Sequence, residues 1–251
     1  EDTTRTEQLL HFFQEEQDAA WNTYVMVTKE PLKDIFSEDL KLPESLGIYL
    51  EDLLEEWEDV RQGAQVTVGT LMSQYYSRNE TLCVPVLEIS DAEEKPQIGG
   101  FCVLFGLQPM GELSLREGEQ LMLLQNNLKR YAFTMQNGIR FLLEQVQTER
   151  EITAAVDEGG NQYPVLTVTV RGNSTVSALS WDADQEDQRQ QGKQELADRL
   201  LTFLTTQQKE AGMDLANSFL LLAGQERSLW EQYREEPAQY LSDLKIRLFV
   251  E

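Results

Sequence analysis

The sequence predicts an α+β protein of more than one mixed α/β domain, with an antiparallel-rich sheet packed on a long helix in its C-terminal part. Three observations carry this. Apolar residues recur at helical spacing in 45–58 and again late in 186–209. Leu166, Val168 and Val170 alternate with Thr167 and Thr169, the period of a strand with one buried face. The composition shifts near Gly138, where helix-rich sequence gives way to strands.

Thr4-Arg5-Thr6-Glu7 has capping-box spacing ahead of Leu9, Leu10, Phe12 and Phe13, so a first helix is expected to run to about Ala20. A strand over Thr23 to Val27 follows, then a short helix opened by Pro31 and ending near Ser37. From Ser45, Leu46, Leu50, Leu53, Leu54 and Trp57 form one apolar stripe, and Glu51, Asp52, Glu55, Glu56 and Glu58 occupy the other faces as a solvated surface. Val68, Leu71, Met72 and Tyr75 mark another helix.

Leu82 to Ile89 and Gly99 to Phe105 read as an antiparallel pair around a polar loop, with Gly111 as a turn. Ser114-Leu115-Arg116-Glu117 is a second capping box, opening a helix that stops near Asn126 or Asn127. Strand character resumes at Tyr131 to Met135 and dominates Ile139 to Trp181, with a turn at Glu158-Gly159-Gly160-Asn161. A long polar helix is expected over Glu186 to Lys209, its late stripe being Leu196, Leu200, Phe203 and Leu204. Helical segments over Leu215–Leu222 and Leu229–Tyr233 precede a closing strand, Leu244 to Val250. These elements suggest three parts: a partial N-terminal helical/α-β domain over 1–80, a middle α/β segment over 81–137, and a C-terminal domain of sheet plus long helix over 138–251.

Charge excludes some functions. Forty-four acidic against twenty-one basic side chains give a formal net charge of −23, which repels nucleic-acid phosphates and anionic lipid headgroups alike. The longest apolar runs fall short of the roughly 18 residues that a bilayer span needs. The chain opens without an initiator Met or an apolar targeting segment, and is expected to be a trimmed or mature product. Cys83 and Cys102 lie in separate apolar stretches and read as buried free thiols.

The inventory for catalysis is thin. The one histidine, His11, would have to serve any Ser-His or Cys-His relay and reads as structural. No glycine-rich phosphate loop of either common spacing is present. Carboxylate pairs such as Glu93-Glu94 follow from the number of acids alone. The expectation is a protein that binds and assembles, without catalytic residues, cofactor or metal.

Val84-Pro85-Val86-Leu87, Gly99-Gly100-Phe101-Cys102-Val103-Leu104-Phe105, and Met110-Gly111-Glu112-Leu113-Ser114 with Glu117 resemble, in order and spacing, the spore germination lipoproteins, the C-type subunits of nutrient germinant receptors. Lys29 to Ile35, Pro164 to Val170, the Gln208 and Asp214 pair at a helix end, and Trp230 before the last strand follow in the same family order. The resemblance implies a lipoprotein tethered by an N-terminal diacylglyceryl cysteine to the outer face of the spore inner membrane. That cysteine and the first strands of the N-terminal domain are missing from this chain. It further implies integral-membrane receptor subunits as partners and a role in receptor assembly and signal relay, with no nucleic acid involved.

An alternative is a solute-binding or sensor module, since Leu82 to Asn126 resembles a GAF-type domain. For a partner surface, the residues expected to stay exposed are Tyr233, Arg234 and Tyr240, the aromatic and arginine types enriched at binding hot spots.

Overall fold

The structure, a computed structural model, describes residues 8, 12, 21–37, 40–61, 66–77, 81–90, 92–105, 108–177 and 185–251, and only the backbone of 56–61, 74, 75, 77 and 210. The chain divides into two compact units, Glu1–Glu119 and Gln120–Glu251. His11 and most of the expected first helix lie outside the described residues.

In the first unit, β1 (Val27–Thr28), β2 (Thr81–Ser90), β3 (Lys95–Phe105) and β4 (Gln108–Ser114) form one sheet in that order. β1 runs parallel to β2, and the remaining neighbours are antiparallel. Of the expected 23–27 strand only Val27 enters this sheet, joined by Thr28. The stretch before them is held by Val25 N–H on Val66 O at 2.7 Å and by Thr23 O, which accepts from Val68 N–H at 2.9 Å.

Helix α1 (Leu32–Ile35) follows Pro31, and α2 (Leu46–Arg61) turns Leu54 fully inward with Leu50 and Leu53 half-buried. The Trp57 side chain lies outside the described residues. Helix α3 (Val68–Ser77) is capped by Thr67, whose hydroxyl accepts from Thr70 N–H at 3.2 Å. Its buried face, Val68, Leu71 and Met72, packs with Val66, Leu82 and Val84 against Val25, Val27 and Leu104. The stretch with Gly111 is not a turn: it is β4, whose Gly111 pairs with Val103. Pro109 and Gly111 hide that strand from a reading by propensity.

Cys83 is paired in register with Val103, and Cys102 with Val84. Alternation therefore sends the two thiols to opposite faces of the sheet, and both are free. Burial pushes the Cys83 thiol up to about 12. The predicted capping box of α4 (Leu115–Leu124) closes: Ser114 N–H donates to the Glu117 carboxylate at 2.9 Å, and Glu117 N–H to Ser114 Oγ at 3.4 Å.

In the second unit, β5 (Arg130–Thr134), β6 (Arg140–Val156) and β7 (Gln162–Ser177) are antiparallel, and β8 (Lys245–Val250) joins β7 in parallel. The sheet is thus antiparallel-rich, as expected. Gln145 adopts φ 54 at a register shift between Glu144 and Gln147, a bulge that bends the long β6. The crossover from β7 to β8 holds α5 (Gln185–Leu204), a π-helical turn (Thr205–Glu210), α6 (Ser218–Gln225), α7 (Arg227–Tyr233) and α8 (Pro237–Asp243).

Helix α5 buries Leu196, Leu200, Phe203 and Leu204, the predicted stripe, together with Gly192. A β-carbon at Gly192 would stand 2.1 Å from the Phe141 ring, so glycine is what lets the helix sit this close to β6. The boundaries expected at 80 and 138 both fall inside a sheet or hairpin. β1 pairs with β2 across residue 80, and Thr134 pairs with Arg140 across residue 138. Leu82 to Asn126, the stretch likened to a GAF domain, is shared between the two units.

Candidate functional site

The π-helical turn carries Gln208 into the second unit's interior, fully buried. Its Nε2 donates to Ser218 Oγ at 2.8 Å and to Asp214 Oδ1 at 3.1 Å. Asp214 Oδ1 also accepts from Ser218 N–H and Oγ–H, each at 2.8 Å, and Oδ2 from Phe219 N–H at 2.7 Å. The carboxylate thus ties the start of α6 to the π-helical turn. Burial raises the Asp214 carboxyl above its ordinary value, against the opposing donors of Phe219 and Ser218 and the charge of Arg150. The Gln208–Asp214 spacing was visible in the sequence. Ser218, which completes the set, was not singled out, although an Asp four residues before an apolar helix is its sequence signal.

The structure places two of the three expected surface residues inside. Tyr240 is 0% exposed and Tyr233 3%. Their rings meet edge to face at 5.8 Å, and Phe219 packs against Tyr240 at 5.1 Å and Trp230 at 4.7 Å. The Tyr233 hydroxyl donates to Asp243 Oδ2 at 2.9 Å, and burial with that carboxylate moves its pKa up to about 12. Pro237 starts α8, which swings Tyr240 back over α7 and closes the cluster. Arg234 alone of the three remains at the surface, beside Glu235 at 3.4 Å. Arg and aromatic residues are enriched at hot spots, but here the aromatics fill a core.

A second concave feature lies in the first unit. The register shift between Val86 and Leu87 leaves Gly99 unpaired on β3, and a groove of about 270 Å³ opens there. Lys29, Glu88, Glu112, Gly99 and Gly100 line it. Lys29 and Glu112 form an ion pair across it, which with Glu88 raises the lysine's pKa. The Glu88 carboxylate accepts from Gln97 Nε2 at 2.9 Å. A β-carbon at Gly100 would stand 2.5 Å from Leu113 O, so the floor must be bare backbone. Composition reading did not join these residues, because the bulge that gathers them is a register property. Among the described residues no group of His, Cys, Asp and Glu is arranged to hold a metal.

Residues 1–89 match the family model described as the spore germination protein N-terminal domain. Over residues 1–89 the chain is similar to a spore germination protein domain. That match spans β1, α1 to α3 and nearly all of β2. By fold, the whole chain is similar to the crystal structure of the GerBC protein, with a TM-score of 0.73 at 13% identity over 98% of this chain and 72% of that one. No curated protein matches the chain. The family resemblance drawn from the sequence motifs and the family model for 1–89 agree, and the GerBC likeness extends the same fold through the second unit.

Proposed function

We propose that this chain is a non-catalytic, extracytoplasmic subunit of a spore nutrient germinant receptor, tethered through an N-terminal lipid to the outer face of the inner membrane. Its work is receptor assembly and signal relay between integral-membrane subunits. The observation that carries the reading is the germination-protein family match over residues 1–89, joined to the shared fold over the rest. A body with formal charge −23 gains nothing from anionic lipid, so residence at a membrane calls for a covalent anchor or membrane partners. None of the described helices is long and apolar enough to cross a bilayer.

Pull-down of the full-length tethered form should recover membrane receptor subunits, and a deletion strain should lose germination to nutrients. No co-purification together with normal germination would remove this reading. A second reading, a solute-binding module, is favoured by the groove beside Gly99, where an ammonium and two carboxylates converge on a glycine floor. Small zwitterionic solutes titrated into the labelled chain should then shift the amides of Gly99 and Gly100; unmoved resonances at millimolar solute would exclude it.

A further inference from the structure

Strand β8 borders its sheet. It pairs with β7 on one side, and no described strand pairs with its other edge. Lys245, Arg247 and Phe249 are exposed and alternate with the half-buried Ile246, Leu248 and Val250, so the first three share one face. In register they stand beside the buried Val165 and the half-buried Thr167 and Thr169 of β7.

Two cations share this row in a strongly acidic chain. Acidic side chains outnumber basic ones about two to one, and other arginines have found carboxylates: Arg171 with Glu149 and Glu251, Arg199 with Glu195, Arg227 with Glu231. The side chains of Lys245 and Arg247 have no ion pair or hydrogen bond among the described residues. The neighbouring Lys209 adds like charge, and its pKa is lowered by burial and by Lys245, with Asp243 opposing. The Asp243 carboxylate is itself engaged by Tyr233 and Gln239.

Charge on an edge strand can serve only to discourage aggregation. A protective row, however, gains nothing from an aromatic, and Phe249 in this one is 50% exposed. Backbone edge, paired cations at alternate positions and an aromatic at the third are the parts of a strand-addition site: main-chain hydrogen bonds supply affinity, and side chains on one face supply choice of partner. We propose that β8 docks an extended acidic segment of a partner protein, which adds as a strand along its free edge and sets carboxylates against Lys245 and Arg247. This rests on the assembly reading and names the chemistry of one contact.

The test uses the purified chain and a fluorescent ten-residue peptide of alternating glutamate and threonine, with a lysine–threonine peptide as control. The acidic peptide should raise anisotropy and the basic one should not, with affinity falling as salt shortens the Debye length toward about 5 Å. Lys245→Glu with Arg247→Glu should weaken binding roughly tenfold or more, and Phe249→Ala by a smaller factor, both with unchanged melting temperature. Amide exchange in 245–250 should slow on binding.

Equal binding of the two peptides, indifference to charge reversal, or concentration-dependent association of the chain with itself through β8 would overturn the proposal. If the charge-reversed subunit still recovers receptor subunits in the pull-down while the acidic peptide fails to bind, this contact falls and the assembly reading stands.

Discussion

Asp214 shows how a single side chain can organise a connection without long secondary structure. Its two oxygens accept from Gln208, Ser218 and Phe219, so Asp214→Asn would turn one acceptor into a donor facing an N–H. We expect a loss of about 1–3 kcal/mol in urea denaturation at neutral pH. The carboxyl's pKa is raised, so the folded chain holds that proton more tightly than the unfolded chain. Its contribution to stability is greatest at low pH and declines as pH rises from the ordinary carboxylate range through the raised value. The Asn variant should lose that slope; a pH profile parallel to the parent's would assign the slope to other groups. Residues 208 and 214 were legible as helix-end hydrogen bonders because their side chains suit that task anywhere. Tyr233 and Tyr240 were misassigned because core and interface draw on the same aromatic types, and only the return of α8 over α7 separates the two.

At the scale of elements, glycines decide how closely layers meet. Gly192→Ala puts a methyl into the Phe141 ring, which is fully buried and has Phe133 5.4 Å away on its other contacts. Overpacking of this kind should cost about 1–3 kcal/mol, read as a lower urea midpoint at unchanged slope. Gly99→Ala meets the end of the Glu88 side chain, which can swing aside, whereas Gly100→Ala meets backbone at Leu113. We expect the Gly100 variant to be clearly the less stable of the two, and equal midpoints would show that the β3–β4 pairing yields. Elements with strong periodicity, such as α2, α5 and the β6–β7 hairpin, were readable from sequence. β4 was not, since Pro109 and Gly111 suit a turn, and only its pairing with β3 makes it a strand.

For the whole molecule, charge and division into units set the expectations. The excess of carboxylates repels itself in the compact state. Raising sodium chloride from about 20 to about 200 mM, which shortens the Debye length to below ~10 Å, should lift the melting temperature by a few degrees. Calorimetry showing a fall would mean that surface ion pairs such as Arg171 with Glu149 and Glu251 outweigh the repulsion. The second unit contains its own sheet and core, so a fragment from Ser114 to Glu251 should fold alone, with dispersed amide resonances. A collapsed spectrum would show that it depends on the first unit. The groove beside Gly99 and the row on β8 were illegible for one reason: each joins residues through register, which composition and spacing do not encode.

The parallel placement of β8 also governs how the protein comes into being. Its partner strand, β7, ends at Ser177, yet β8 begins at Lys245, with the α5-to-α8 crossover between them. During synthesis, Leu166, Val168 and Val170 present an apolar row and an open backbone edge until β8 has emerged. Closure of that sheet must therefore wait until the whole crossover has been made, and such long-range pairing is intrinsically slow. In this interval the nascent chain is most open to strand exchange with its neighbours. A stop codon just before Lys245 would make the interval permanent, yielding an aggregating product.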